Sequence, residues 1–551
     1  MSRIVKDPIY GYIRVDDPSA WRIIDSPLFQ RLRHIVQTSY APLFPSAVHN
    51  RFVHSLGVYR LGSFVADVIR DKSLPEDCKE AAKGFLHTFE LACLLHDVGH
   101  APFSHTGEAY YDLEIERSDD ADRKQSALNK ELANFLGVEA FNQKPAAQHE
   151  IMSALMAVNE FGDLIGDIEN QRFLARAITG YTYENNPAGE TSDVNGVPTD
   201  YLDCLISLLN GQVIDVDRLD YLLRDAYLTG FNTVTIDYRR LLTSIRIGID
   251  NETSLYKVFF LQHAVGVLEN CVYAHDAERK WIQCHPTIVY EGYLLSRAIE
   301  SVLKEFFPDG YIPRSCLSDE GMELKKSGCP TGLSLKSLTD ADMLFLMKNT
   351  ASPEVVEYFS RGRWRAKLWK SEAEFYAYFN SSKLGGKNVD AALEGIYDVI
   401  SALHKNYGGR LNDETLERFE NEYVKESETN SKRSQHWLSV YRMENERKCG
   451  ILRKFKKFAN ENNMPFDFLF LDKTAFQSGF IKAELSKLKI RFGDSNTMAE
   501  LKDVTNVLTP KSGDMPSKVF YVFYIKDDPG ARPSHDKISQ FVSDLVRGYG
   551  A

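Results

Sequence analysis

Three apolar segments with helical spacing constrain the fold of this chain more than any other feature of its sequence. Apolar residues recur every three or four positions in RFVHSLGVYRLGSFVADVIRD (51–71), HTFELACLLHDVG (87–99) and YLDCLISLLNG (201–211). That spacing places them along one face of an α-helix, and such a face is buried against other elements. We therefore expect residues 20–305 to form a mainly α-helical core.

The rest of the chain predicts additional parts, because 551 residues exceed the usual size of one domain. Pro, Gly, Ser and Lys in 309–340 indicate a connection into a second helical part that ends near 460. The aromatic and β-branched segments FDFLFLDK (466–473) and KVFYVFYIK (518–526) predict strands of a small sheet. The predicted parts are a core over 1–310 with a regulatory segment in 1–40, a helical extension over 311–460 and an α+β region over 461–551.

The net charge of the chain is −11, from 66 Lys and Arg against 77 Asp and Glu. This acidity disfavours binding to nucleic acids and anionic membranes, and the basic run around Lys454–Lys457 is typical of a solvated helix face. No apolar run reaches the ~18 residues that would span a bilayer. The charged N-terminal segment also differs from a signal peptide. We expect a cytoplasmic protein with neither a membrane nor a nucleic acid among its partners.

Cysteine and glycine patterns exclude further classes of site. The eight cysteines include no CxxC pair, which argues against a zinc ribbon. No GxxxxGK[ST] segment occurs, so a P-loop nucleotide site is not expected.

Histidines are concentrated in one window of the chain. Of 14 in all, those at 49, 54, 87, 96, 100, 105 and 149 fall between residues 49 and 149, where an even spread would place two or three. They stand in the contexts NRFVHSLG, LLHDVGHAPFSH and QHE, and the later segment VIDVDRLDYLLRDA (213–226) adds several aspartates. Imidazole and carboxylate are ligands that divalent Mn, Fe, Zn or Mg accept. The pattern therefore predicts a metal site.

Three separate elements supply the four best candidate ligands, which are His54, His96, Asp97 and Asp217. Such a set leaves coordination positions open for water and substrate, which is typical of a catalytic rather than a structural site. Each candidate has a simpler interpretation when taken singly. His54 alone would be a satisfied core residue, and His96 with Asp97 would be a polar helix end. The acidic run 215–225 would be a solvated face in which Arg218 and Arg224 are i,i+3 or i,i+4 partners.

Five motifs resemble the HD phosphohydrolase superfamily and, within it, the deoxynucleoside triphosphate (dNTP) triphosphohydrolases. The resemblance covers roughly the first 310 residues and is closest to the members with a sterile-alpha-motif and an HD domain; it extends to bacterial dGTPase-like members. The motifs are DPIYGYI (7–13), IIDSPLFQRLRHIVQ (23–37), HNRFVHSLG (49–57), HDVGHAPFSH (96–105) and DVDRLDYLLRD (215–225). The resemblance implies an HD-domain helical core.

The resemblance also implies roles for individual residues. The metal ligands fall on His54, His96, Asp97 and Asp217. His105 and His149 match active-site histidines beside the scissile phosphate, and Glu108 and Glu150 match their supporting carboxylates. The triphosphate contacts match Arg51, His100, Arg218 and Tyr221, and the residues near the deoxyribose 3′ hydroxyl match Gln37 and Asp225. The chain departs from the pattern in carrying Arg218 where the family has a lysine, and in lacking a clear counterpart of the sugar-covering tyrosine near 279–285.

The implied activity is metal-dependent hydrolysis of a dNTP at the α-phosphorus, which releases deoxynucleoside and tripolyphosphate. The cation would be Mn, Fe, Mg or Zn, and either His105 or His149 would protonate the leaving 5′ oxygen. Two alternatives stay open. One is another HD phosphohydrolase or phosphodiesterase, acting on cyclic dinucleotides or guanosine alarmones. The other is a noncatalytic nucleotide sensor.

A regulatory site is implied at Asp25, Gln30 and Arg33. Ser26 and Pro27 predict the start of a helix there, as N-cap and first helical residue. Spacing alone favours helix-end chemistry, with a salt bridge between Asp25 and Arg33. The resemblance instead matches the three residues with an allosteric guanine site between subunits. It implies a homo-oligomer, such as a tetramer, that a guanine nucleotide activates.

Overall fold

The computed structural model describes residues 2–111, 127–138, 146–183, 193–211, 214–231, 235–250, 252–307, 310–324, 333–380, 386–429, 435–472, 485–493, 498–507, 519–526 and 532–550. Its helices are α1 (Pro18–Ile24), α2 (Pro27–Gln30), α3 (Arg51–Lys72), α4 (Lys79–Leu95), α5 (His105–Glu108), α6 (Ala127–Leu136), α7 (Gln148–Ile165), α8 (Ile168–Thr179), α9 (Thr199–Leu209), α10 (Val216–Thr229), α11 (Tyr238–Thr243), α12 (Val265–Glu278), α13 (Pro286–Phe306), α14 (Asp340–Lys348), α15 (Pro353–Phe359), α16 (Glu372–Asn380), α17 (Gly386–Tyr407), α18 (Asp413–Thr429), α19 (Gln435–Glu461), α20 (Leu501–Val504) and α21 (His535–Gly550). The fold is mainly α, as the sequence predicts.

Short strands accompany the helices. They are β1 (Arg3–Asp7), β2 (Gly11–Val15), β3 (Asp193–Val194), β4 (Val197–Pro198), β5 (Ile245–Ile249), β6 (Tyr256–Leu261), β7 (Met322–Leu324), β8 (Leu333–Leu335), β9 (Ala366–Lys367), β10 (Arg410–Asn412), β11 (Asp467–Asp472), β12 (Lys489–Arg491), β13 (Met498–Glu500) and β14 (Phe520–Tyr524). The two segments predicted as strands near the C-terminus are β11 and β14, and they pair antiparallel.

The chain divides into two compact units. The first comprises Met1–Ile282, Gly292–Val356 and Ser478–Thr509, and its four-stranded sheet has the order β13-β12-β6-β5. The second comprises Gln283–Glu291, Glu357–Gln477 and Pro510–Ala551, with a sheet of order β10-β11-β14-β9. These units do not follow the composition changes near 310 and 460, because β12 pairs with the distant β6. The division into parts at 1–310, 311–460 and 461–551 therefore stays a prediction.

Two glycines set the helix packing around the site in the first unit. Gly57 lies on α3, where a Cβ would overlap the Asp220 carboxylate and the Arg224 guanidinium of α10. Gly99 follows α4, where a Cβ would overlap the backbone of Met152 and Ser153 in α7. Glycine at both positions therefore allows α10 and α7 to approach the elements that carry the histidines.

Helix α3 begins where Asn50 caps it, since the Asn50 side chain accepts a hydrogen bond from the Val53 amide at 3.2 Å. Leu94 and Leu95 at the end of α4 are fully buried, so the polar residues that follow them emerge from an apolar core. Within the described residues, no helix is both long and apolar enough to cross a membrane.

Candidate active site and metal centre

The four predicted metal ligands come together in the first unit. His54 lies on α3, His96 and Asp97 directly follow α4, and Asp217 lies in the first turn of α10. His54 Nε2 is 2.9 Å from Asp217 Oδ1 and 3.6 Å from Asp97 Oδ2. His96 Nε2 is 3.3 Å from His54 Nε2, 3.4 Å from Asp97 Oδ1 and 3.5 Å from Asp217 Oδ1.

These separations fit a shared divalent cation. Ligand distances of about 2.0–2.2 Å place neighbouring donor atoms about 2.8 Å apart at right angles and about 3.6 Å apart at tetrahedral angles. The donor–donor distances of 2.9 to 3.6 Å span the same interval. The donor set mixes imidazole with carboxylate, which leaves the identity of the metal open among Mn, Fe, Mg and Zn.

Hydrogen bonds to the second ring nitrogen orient both histidine ligands. The Nδ1 of His96 is 3.0 Å from the Cys93 carbonyl, and the Nδ1 of His54 is 2.7 Å from Asp220 Oδ2. When Nδ1 donates, the Nε2 lone pair is free for a metal. With a cation bound at His54 Nε2, Asp220 would complete a carboxylate–histidine–metal arrangement.

Asp220 belongs to a buried polar network that the sequence analysis did not identify. Arg224 donates to both of its oxygens, at 2.9 and 3.0 Å, and the Tyr10 hydroxyl donates to Oδ1 at 2.6 Å. Arg224 also donates to Asp7 at 3.0 Å. The i,i+4 spacing of Asp220 and Arg224 was a usable signal, but it is equally typical of a solvated helix face.

Arg51 contacts the predicted metal ligand Asp97 directly. Its Nη1 donates to Asp97 Oδ2 at 2.8 Å, and its Nε donates to Ser104 Oγ at 2.8 Å. Burial alone would raise the pKa of Asp97, but Arg51 and the rings of His96 and His100 hold it well below its usual range. Asp97 is therefore ionised and able to serve as a ligand.

Glu108 joins the two predicted proton-donating histidines. Its Oε1 is 2.6 Å from His105 Nδ1, and its Oε2 contacts His149 Nδ1. Burial would lower the pKa of His149, but the Glu108 carboxylate overcomes it and raises the pKa to about 9. His149 is mostly covered and His105 is exposed. At neutral pH the His149 ring therefore keeps both of its protons, and the one on Nε2 faces away from Glu108.

The proton-bearing pair adjoins the metal site. One cavity is lined jointly by His96, Asp217, His149 and Glu150. The His100 ring stacks on His149 with centroids 4.0 Å apart, and its Nε2 lies 3.2 Å from Asp97 Oδ1. Burial first, and then Arg51, lower the pKa of His100 well below its usual value, so this ring is neutral.

Glu150 forms its hydrogen bonds with groups other than the two histidine rings. Its Oε2 accepts the Ala147 amide at 2.6 Å, at the start of α7, and its Oε1 accepts from Asn210 at 3.0 Å. The first bond caps the start of α7, and the second holds the side chain of Asn210, which follows α9. The supporting carboxylate that contacts both histidine rings is Glu108.

The predicted triphosphate contacts on α10 lie beside the metal ligand Asp217. The Arg218 Nη1 donates to Asp215 Oδ2 at 2.7 Å and to the Gly211 carbonyl. Tyr221 lies one turn further on, where burial raises the pKa of its hydroxyl well above the usual value and keeps it protonated as a donor. Arg218 and Tyr221 therefore offer donors on the same side of α10 as Asp217.

The predicted sugar contacts are linked through a residue that the sequence analysis did not assign, His49. Its Nε2 is 2.8 Å from Asp225 Oδ1, and its carbonyl accepts the Gln37 amide at 2.9 Å. Gln37 Oε1 is buried and has no hydrogen-bond partner among the described residues. An unpaired buried acceptor is costly, so this oxygen requires a donor from a water molecule or a ligand.

The predicted regulatory residues lie at the surface of the N-terminal segment. The helix start at Ser26 and Pro27 is confirmed, with Ser26 Oγ accepting the Phe29 amide at 3.2 Å. The salt bridge expected from spacing was wrong, because Asp25 pairs with Arg3 at 2.7 Å on the adjacent hairpin. Arg33 instead donates to Gln30 Oε1 at 2.7 Å and lies 3.6 Å above the Phe52 ring.

Comparison with known proteins identifies the central segment. Residues 51–172 match the family model described as HD domain. The chain contains an HD domain. HD domains bind divalent metal ions, and the cluster of His54, His96 and Asp97 in this one can hold such an ion.

The HD domain here resembles those of several proteins in sequence. The chain is 30% identical over 288 residues to the deoxynucleoside triphosphate triphosphohydrolase SAMHD1 of Bos taurus, covering 50% of this chain and 44% of that protein. It is 27% identical over 328 residues to the uncharacterized protein YwfO of Bacillus subtilis, covering 56% and 58%. The chain thus spans about half the length of the curated relatives it matches, and its resemblance to HD-domain dNTPases is confirmed.

The fold extends beyond the HD domain in a solved structure. A hypothetical protein from Aquifex aeolicus matches 95% of this chain and 96% of its own, with a TM-score of 0.54 and 19% identity. At that identity the match concerns the fold alone. It shows that the fold of this chain, including residues after the HD domain match, also occurs in another protein.

Proposed function

We propose that the protein hydrolyses dNTPs to deoxynucleoside and tripolyphosphate with the help of a divalent cation. One observation carries the proposal: the donor atoms of His54, His96, Asp97 and Asp217 are spaced for a cation, and two of these residues, His96 and Asp217, share a cavity with His149, whose ring is held by Glu108. The resemblance to SAMHD1 proteins, named as deoxynucleoside triphosphate triphosphohydrolases, supports the substrate class.

The cation would be held by His54, His96, Asp97 and Asp217. When bound, it supplies Lewis acidity toward a phosphoryl oxygen and a water of lowered pKa as the nucleophile at neutral pH. Asp220 and the Cys93 carbonyl keep both histidine Nε2 atoms available as ligands.

The Glu108-linked histidines would protonate the leaving group. The 5′ oxygen of a nucleoside leaves poorly unless it receives a proton during cleavage. Glu108 occupies Nδ1 of both His105 and His149, so the opposite nitrogen of either ring can face the substrate. One ring would donate the proton and the other would position phosphate.

Two sets of residues would position the substrate. Arg51, Arg218, His100 and Tyr221 would contact the triphosphate, since guanidinium groups match phosphate geometry. Gln37 and Asp225 would contact the 3′ hydroxyl, and the buried Gln37 Oε1 supports this. His49 would keep Asp225 in place.

Regulation by a guanine nucleotide is a finer part of the proposal. Asp25 and Arg33 are exposed and offer an acceptor and a donor, while Gln30 offers both. We propose that they bind guanine in a homo-oligomer such as a tetramer, and that assembly and binding strengthen each other. The cytoplasmic location and the absence of a nucleic-acid partner stay predictions.

Product analysis tests the proposal. Purified protein is incubated with each dNTP, singly and mixed, in Mn²⁺ or Mg²⁺, and products are separated by chromatography. We expect tripolyphosphate and deoxynucleoside from wild type, and neither from Asp97→Ala, which should also lose bound metal while keeping its helical fold. Pyrophosphate, or a linear dinucleotide from a cyclic one, would instead indicate another HD phosphohydrolase. Binding without any product would indicate a sensor.

Sedimentation tests the regulatory part. Wild type and Asp25→Ala are compared with and without GTP or dGTP, alongside dATP hydrolysis. We expect a larger mass and a higher rate with the nucleotide in wild type alone. A mass and a rate indifferent to guanine nucleotides in both proteins would leave Asp25, Gln30 and Arg33 with a local structural role.

A further inference from the structure

The loop between α4 and α5 adopts a backbone conformation that its residues do not favour. Phe103 and Ser104 have φ values of 60° and 54°. A residue with a Cβ is rarely found at positive φ, and it stays there only where its surroundings impose the conformation. The loop, residues 98–104, carries His100 and lies between the metal ligand Asp97 and His105.

This conformation brings the Ser104 hydroxyl to Arg51. Ser104 Oγ accepts from Arg51 Nε at 2.8 Å and donates to the Val36 carbonyl. The same guanidinium contacts the metal ligand Asp97 through Nη1. The position of Arg51 on Asp97 therefore depends on the strained loop.

A carboxylate far along the chain holds the two residues that flank this contact. Asp340 is the first residue of α14, and it is buried. Its Oδ1 accepts the Phe103 amide at 2.7 Å, and its Oδ2 accepts the Val36 amide at 2.8 Å. One side chain thus fixes both the strained residue before Ser104 and the residue that accepts the Ser104 hydroxyl.

The other end of the loop, at Val98 and His100, is anchored to the segment that leads into Asp340. The Arg31 Nη2 donates to the carbonyls of Val98 and His100, at 3.0 and 2.7 Å. Its Nη1 donates at 2.9 Å to the carbonyl of Leu338, two residues before Asp340. The guanidinium is buried, so these bonds are shielded from competition with water.

We infer that Asp340 is a positioning residue of the candidate active site. It acts through Phe103 and Val36 on the loop that presents Ser104 to Arg51 and His100 to Asp97. Asp340 lies outside the HD domain match of residues 51–172, so the segment after α13 completes the site. The expected effect on catalysis rests on the proposed function; the effect on the loop does not.

The test compares Asp340→Asn with Asp342→Asn. The first variant keeps the shape of the side chain but replaces one acceptor oxygen with an NH₂ group, so one backbone amide loses its partner. Asp342 lies in the same first turn of α14, but its Oδ2 accepts only from Thr339, at 2.7 and 2.8 Å. The control therefore disturbs the same helix start without touching the loop.

Two measurements distinguish a positioning role of Asp340 from a general loss of protein stability. In hydrogen–deuterium exchange, we expect peptides containing Val36 and Phe103 to exchange about tenfold faster or more in Asp340→Asn and at the wild-type rate in Asp342→Asn. For dNTP hydrolysis, we expect kcat to fall about tenfold or more in Asp340→Asn alone, because small misplacements of catalytic groups are costly. The bound Mn²⁺ stoichiometry should not change, because all four ligands are retained.

The outcomes are distinguishable. Equal exchange in the two variants, or equal losses of kcat, would overturn the inference. Faster loop exchange in Asp340→Asn with an inactive wild type would support the inference and refute the proposed function. If Asp340→Asn does not fold, Arg31→Lys provides the same test from the other end of the loop. Lys keeps the positive charge but lacks the two guanidinium NH₂ groups that reach both the loop and Leu338. Wild-type loop exchange and kcat in Arg31→Lys would then overturn the inference.

Discussion

Replacing Glu108 by Gln should move the alkaline limb of the pH–rate profile. In wild type, burial disfavours the charged ring of His149, but Glu108 raises its pKa to about 9. Without the carboxylate, the burial that remains should bring the pKa to about 6.5, the ordinary value for histidine, or below it, and a pKa of 6.5 gives the smallest expected change. At pH 8 the protonated fraction then falls from about 0.9 to about 0.03, a loss of about 30-fold, whereas at pH 6 the loss is about 1.3-fold.

The assay is tripolyphosphate release at saturating and limiting dNTP between pH 5.5 and 9.5. Glu150→Gln is the matched control, because Glu150 hydrogen-bonds to Ala147 and Asn210 and to neither histidine ring. In this variant the alkaline limb of the pH–rate profile should move by less than about one pH unit. Superimposable profiles for wild type and Glu108→Gln would refute the reasoning.

The same pKa shift predicts a pH dependence of stability. The pKa of His149 is raised on folding, so its contribution is fully present below about pH 6.5 and is lost as the pH rises through about 9. The Tm difference between wild type and Glu108→Gln should therefore shrink over that window, and a difference independent of pH would contradict the assignment.

Four further variants probe the site. Asp220→Asn should weaken metal affinity by about 10–100-fold without removing a ligand, measured by Mn²⁺ titration; unchanged affinity would exclude its role in orienting His54. Gly57→Ala should destabilise the fold by about 1–3 kcal/mol, since the added Cβ overlaps Asp220 and Arg224, and an unchanged unfolding midpoint would show that α10 can shift freely. His105→Ala and His149→Ala should each lose about 10²-fold in turnover and keep the metal. Only the variant that lacks the proton donor should also lose the alkaline limb of its pH–rate profile. Normal rates in both variants would mean that neither histidine donates the proton.

The sequence predicts which residues form the candidate metal cluster better than it predicts the groups that hold them in place. His54, His96 and Asp97 stand within 44 residues in unusual contexts, and a helical core explains how they meet. The role of Asp220 could not be predicted, because an Asp four residues before an Arg has the same spacing on an exposed helix and in a buried network. Only burial distinguishes an exposed helix face from a buried network, and burial depends on which other elements pack against the whole helix.

Long-range pairing limits the prediction of the fold in the same way. The apolar strands β11 and β14 follow from their composition, but the pairing of β12 with β6 joins residues more than 200 positions apart. Asp340 is an equally clear case. Its sequence context, LTDAD, shows an ordinary helix start, and only the three-dimensional structure shows that its carboxylate reaches Val36 and Phe103.

The distant position of Asp340 has a consequence for synthesis. The ribosome completes His54, His96 and Asp97 early, adds Asp217 after 120 further residues, and reaches Asp340 after 123 more. At about 5–20 residues per second, each interval lasts roughly 6–25 s. During the first, the nascent chain has three metal ligands without the fourth, and during the second the loop at Phe103 has no carboxylate to hold it. A chain stalled or cleaved before residue 340 can therefore contain every metal ligand and still lack the geometry of the finished centre.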